Sequence, residues 1–168
     1  AFNEAGQETE LAFIDEDDAA DLMLLTGSSI FKSVDVASAV GLHDKVHTMT
    51  HGAGVPTYRT DGEALDYTVV GFVAFVIHDE ADIGRCLAQK KNEIQPQFDG
   101  MSFSLYCVST FSELRSTAAS IPGSSGGPLL NEAGELVGIV SCGNPQQPMF
   151  SYYVSLTHIR ACLSAHAR

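Results

Sequence analysis

One short stretch, Gly123-Ser124-Ser125-Gly126-Gly127-Pro128, sets the terms for the rest of this chain. It places a serine inside a glycine-rich turn just ahead of Leu129-Leu130, with Glu135-Leu136-Val137-Gly138-Ile139-Val140 close behind. A nucleophilic hydroxyl needs an exposed tip, backbone N–H groups aimed at a developing oxyanion, and no bulky neighbours. Glycines around Ser125 permit all three, because they reach unusual backbone angles and let a substrate come close. The alternative is a Gly/Ser turn with no chemistry.

Around that turn the sequence reads as strands separated by turn residues. Leu22–Leu25, Ser33–Val40, Lys45–Thr50, Val55–Thr60 and Glu63–Ile77 form the expected first sheet. Asp61-Gly62 is its hairpin turn, and Gly71 the natural bend in the longest run. A polar connection from Asp79 to Gln97 holds at most one short element near Ile83–Ala88. Ser102–Val108, Leu114–Ile121, Pro128–Leu130, Leu136–Ser141 and Met149–Val154 make a second series. Leu156, Ile159 and Leu163 share a helical face, which predicts a terminal helix running to His166. The pattern predicts an all-β chain of two antiparallel β-barrels with a short C-terminal helix. Its expected divisions are an acidic leader at 1–20, an N-terminal barrel at 21–88 and a C-terminal barrel at 89–168.

Composition removes several partner classes. A formal net charge of −12 would repel nucleic acid and anionic membrane alike. The longest apolar run, Val69–Ile77, falls well short of the roughly 20 residues a membrane helix needs. The first residues lack the basic and apolar regions of a signal peptide. Cys86, Cys107, Cys142 and Cys162 stand singly at wide spacings, with no Cys-x-x-Cys pair. Buried free thiols in a reducing compartment are the simplest expectation, and two disulfides the alternative.

A serine hydroxyl needs a base. His51 closes an expected strand and is followed by Gly52-Ala53-Gly54, where a substrate can reach an imidazole. His43 and His47 are read as surface or packing residues. The base needs a carboxylate to fix its tautomer. Asp66 opens the apolar run Asp66-Tyr67-Thr68-Val69-Val70, whereas Asp82 sits in the polar connection; Asp66 is favoured and Asp82 kept as the alternative.

These residues resemble the trypsin-like (chymotrypsin-fold) serine proteases, in which the order is His, Asp, Ser. His51-Gly52-Ala53-Gly54 and Gly123–Leu130 are similar to the histidine and serine motifs of polyprotein-processing proteases of positive-strand RNA viruses, above all the hepatitis C type. His47–His51 is similar to a flavivirus run, and Glu132–Gly138 to a segment of arterivirus proteases. The resemblance implies a serine endopeptidase with His51 as general base, Asp66 as orienting carboxylate and Ser125 as nucleophile. It implies an oxyanion hole from the N–H groups of Gly123 and Ser125. It also implies substrate pairing along Val140-Ser141-Cys142-Gly143, as an added strand.

Asp21-Leu22-Met23-Leu24-Leu25 resembles the family's aspartate motif too, but it precedes His51 and is set aside on chain order. Ala119, six residues before Ser125, stands where trypsin carries the aspartate that selects Lys or Arg, so with Val140 it implies small or apolar residues there. The hepatitis C-type zinc ligands are replaced by Asn131 and Glu135, which implies no metal. The implied partner is a polypeptide, a viral polyprotein in the host cytoplasm. Leu11-Ala12-Phe13-Ile14 is either a cofactor-like strand, of the kind an activating polypeptide supplies, or a tail. The competing readings are a cellular or bacterial trypsin-like protease and a catalytically silent scaffold.

Overall fold

Strands account for most of the residues that the computed structural model describes, namely 8–17, 22–27, 33–50, 57–89, 91–143 and 147–166. In chain order they are β1 (Leu11–Asp17), β2 (Leu22–Gly27), β3 (Lys45–Thr50), β4 (Tyr58–Ile77), helix α1 (Glu80–Leu87), β5 (Asn92–Asp99) and β6 (Ser102–Ser116). There follow β7 (Pro128–Asn131), β8 (Leu136–Gly143), β9 (Ser151–Ser155) and helix α2 (Leu156–His166). The strands make two antiparallel sheets, one of them the β1–β2 pair alone.

Two compact units result: Ala1–Tyr67 with Glu113–Arg168, and Thr68–Ser112. This differs from the division at residue 88 drawn from the sequence. The polar stretch taken there for a connection contains β5, which pairs with β6 from Asn92↔Ser109 to Asp99↔Ser102. Its polar residues are exposed strand positions such as Gln95 and Gln97.

In the first unit β3 lies between β4 and β7, and β7 continues through β8 and β9 to the end of β6. Val46, Leu114, Leu129, Val137, Val140, Tyr153 and Leu156 meet in its core. Their burial is the main force holding these strands together. Tyr153 is fully buried and donates its hydroxyl to the Ala118 carbonyl. In α2, Leu156 and Ile159 are buried while Leu163 is exposed. The leader's apolar segment is the strand β1, and Asp15 on it pairs with His166 of α2 at 2.9 Å.

Two local expectations are corrected. Asp61-Gly62 is no turn: β4 runs straight through it. Gly62 serves close packing instead, since a Cβ there would lie 2.6 Å from the Thr117 carbonyl carbon and overlap the Ala118 backbone. Ser33–Val40 is not a strand. It touches β8 through a single bridge, Val36↔Leu136, with Leu136 N–H donating to Asp35 O at 2.7 Å.

The second unit packs Ile77, Ile83, Ile94 and Leu105 around Cys86 and Cys107. α1 begins at Asp79, whose carboxylate accepts from the Asp82 N–H at 2.9 Å, an N-cap with acidic residues in the first turn. Free thiols were expected for all four cysteines; Cys86 and Cys107 instead form a disulfide across 21 residues. Both lie on inward faces, one on α1 and one on β6, close enough to join. Cys142 and Cys162 take no part in it.

Candidate active site

The turn before β7 is held from beneath. Ser124 is buried; its N–H donates to Ile121 O at 3.0 Å, and its hydroxyl accepts from the Ile121 N–H at 3.3 Å. Gly126 N–H donates to Val140 O, and Val140 N–H to Gly127 O, each at 2.8 Å, stitching the turn to β8. Gly123 and Gly126 hold φ of 89° and 84°, a left-handed backbone that other residues adopt at a cost. With Ser124 pinned inward, Ser125 is carried outward and exposed. Its hydroxyl donates to the Ser141 carbonyl at 3.2 Å. Among the described residues, the backbone hydrogen bonds of this turn include none donated by Gly123 or Ser125.

A cavity of about 380 Å³ opens beside Ser125. Ile121, Pro122, Val140, Cys142, Pro148 and Phe150 give it apolar walls, and none of the described residues that line it is charged. Ser141 and Gly143, also expected from the sequence to meet substrate, line it as well. Ala119 does not; its neighbour Ser120 does, bonded through its N–H to the Ser151 hydroxyl at 2.7 Å. Phe150, Pro148 and Ser120 carry no motif and were not singled out from the sequence.

His51 lies outside the described residues. The strand leading to it is well placed: Thr48 pairs with Leu129 and donates its hydroxyl to Pro128 O at 2.8 Å. The end of β3 therefore meets the start of β7, the end from which the Ser125 turn departs. Asp66 is elsewhere. Thr50 pairs with Tyr58, and Asp66 lies eight residues beyond Tyr58 on β4. That is about 26 Å measured along a strand. Both Asp66 oxygens are engaged by Arg115 of β6, at 2.9 Å to Nε and 2.6 Å to an Nη. Asp82 has local work in the second unit, accepting from the His78 N–H and the Arg85 guanidinium, each at 2.9 Å.

His47, half-buried on β3, is held below the ordinary imidazole range mainly by burial, with Arg59 adding to the effect. Among the described residues, no three His, Cys, Asp or Glu side chains converge as a metal site requires. Nor is any described helix long and apolar enough to cross a membrane.

The sequence profile of the family described as Trypsin matches residues 12–162. The chain belongs to the trypsin family. The exposed Ser125 turn lies within the matched span. No curated protein sequence matches this one. Among solved structures, the Rv3671c protease of M. tuberculosis superposes with a TM-score of 0.66 at 13% identity, over 95% of this chain and 59% of its own. The HtrA-type protease AlgW, solved with a tripeptide, gives 0.66 at 15% identity, over 98% of this chain and 46% of its own. The MamO protease domain of Magnetospirillum magneticum gives 0.60 at 18% identity, over 99% and 72%. The trypsin-family fold is thereby shown, and the chain spans only about half the length of Rv3671c and AlgW.

Proposed function

We propose that this trypsin-family chain hydrolyses peptide bonds with Ser125 as nucleophile. The observation that carries the proposal is Ser125 itself, raised on the Gly123/Gly126 turn beside a cavity whose described walls are largely apolar. In the reaction Ser125 Oγ bonds to the scissile carbonyl carbon while its proton passes to an imidazole. The Gly123 and Ser125 N–H groups receive the oxyanion, the C–N bond breaks, and the amine leaves with the imidazole's proton. Water then cleaves the acyl-enzyme by the same route. The cavity suits an apolar residue on the acyl side of the bond, and Ser141–Gly143, the part of β8 that runs past its pairing with β7, offer a free side to the substrate backbone. The structural neighbours favour a cellular or bacterial trypsin-like endopeptidase over a viral polyprotein enzyme, and that support is one of fold.

For the base, the β3–β7 register supports His51. With it the motif reading pairs Asp66. A second reading is favoured by the distance of Asp66 from Thr50 and by its engagement with Arg115. There Asp21, directly ahead of β2, is the orienting carboxylate, and the histidine that precedes it in the family's order comes from chain outside these 168 residues. Peptide turnover by variants separates the two. Ser125→Ala should lose activity on the order of 10⁴-fold or more under either. Losses of that size in His51→Ala and Asp66→Asn, with Asp21→Asn active, establish the first; the reverse pattern establishes the second. Full turnover by Ser125→Ala refutes both.

A further inference from the structure

We infer that the Asp66–Arg115 pair is a buttress for the specificity cavity, so that Asp66 acts on substrate choice through Phe150. The inference rests on Ser125 as the reacting group, because the cavity beside it is then the pocket for the residue whose carbonyl is attacked.

Three linked contacts carry it, all in the first unit. Asp66 grips the Arg115 guanidinium with both oxygens, a planar fork that fixes the orientation of both groups. The same guanidinium lies over the Phe150 ring, 4.9 Å from its centroid. Phe150 in turn lines the cavity with Pro148, Ile121 and Val140. A cation stacked on a ring restricts how that ring can turn. Phe150 lies just outside β9, where strand pairing does not hold it; Ser151 is the first paired residue, opposite Ser116 and Gly143. The wall needs a support from behind, and Arg115, paired on β6 with Tyr152, supplies it. Asp66 and Arg115 are positioning residues here: neither lines the cavity.

The test measures binding in a Ser125→Ala background. Two peptides identical except for Phe or Ala at the acyl-side position are titrated by calorimetry. The unaltered wall should prefer Phe. Arg115→Met and Asp66→Asn should each reduce that preference about tenfold, a loss of the size that altered apolar pockets give. The double variant should lose no more than either single one, since both act through one ring. If Arg115→Met fails to fold, Arg115→Lys keeps a cation without the fork and should fall between. In the Ser125 protein, labelling by a fluorophosphonate should proceed at the wild-type rate with Arg115→Met. An unchanged preference in the Arg115 and Asp66 variants overturns the inference. So does an Asp66→Asn protein that keeps the preference and loses labelling, which would make Asp66 the orienting carboxylate. Failure of the nucleophile reading shows separately, as folded wild type that the probe does not label while the calorimetric preference stands.

Discussion

The Ser125 hydroxyl donates to the Ser141 carbonyl at 3.2 Å, joining the tip of the glycine turn to strand β8. In a hydrolytic cycle that bond must yield, because the hydroxyl proton has to pass to a base. A carbonyl cannot take the proton, but it can hold the oxygen near the strand edge where a substrate backbone would pair. The turn itself stays put, since its anchors run through Ser124, Gly126 and Gly127.

Gly62 tests the packing that brings β4 to the end of β6. Glu63 N–H donates to the Thr117 hydroxyl at 2.9 Å, and Ser116 Oγ donates to Glu63 O at 2.8 Å, so the backbones touch with no room for a Cβ. Gly62→Ala should cost about 1–3 kcal/mol by overpacking. Urea denaturation measures it; wild-type stability would mean this crossing is looser than described.

The Cys86–Cys107 disulfide closes a segment 21 residues apart. Cross-linking a loop of that size stabilises by about 3 kcal/mol through the unfolded state. Reduction, or Cys86→Ser, should lower the melting temperature and expose α1 and β5 to proteolysis first. Melting curves with and without dithiothreitol decide it.

Tyr153 predicts an alkaline limit. Burial pushes its phenol well above the ordinary value, with hydrogen bonds to Thr48 and Ser151 opposing. The folded state thus holds the phenol proton more tightly than the unfolded state. This contribution is complete below about pH 10, the ordinary tyrosine value, and is lost as pH rises above it. Tyr153→Phe should flatten that limb, and at neutral pH it should cost about 1 kcal/mol for the lost hydrogen bond. Denaturation at pH 7 and pH 10.5 checks both.

The sequence made the serine turn, β7–β9 and α2 readable, because there local pattern and fold agree. Glycines flank Ser125, apolar residues alternate, and Leu156 and Ile159 share a buried face. It misled where one residue type serves two purposes. Gly62 after Asp61 has a turn's composition, yet only the approach of Thr117 and Ala118, more than fifty residues on, explains it. Polar Asn92–Gln97 looked like a connection because an exposed strand carries few apolar residues. The apolar run that it opens chose Asp66 for the histidine; register along β4, which local composition cannot give, sets it eight residues past the partner of Thr50 and against Arg115. Arg115 and Phe150 had no local signal, since their meaning lies in a contact across 35 residues.

The most direct test is a fluorophosphonate reacted with the intact protein, the adduct being mapped by mass spectrometry in wild type and Ser125→Ala. A single adduct on Ser125, absent from the variant, is the predicted result. A folded protein that takes no label, or one labelled equally after Ser125→Ala, would contradict the assignment of Ser125 as nucleophile.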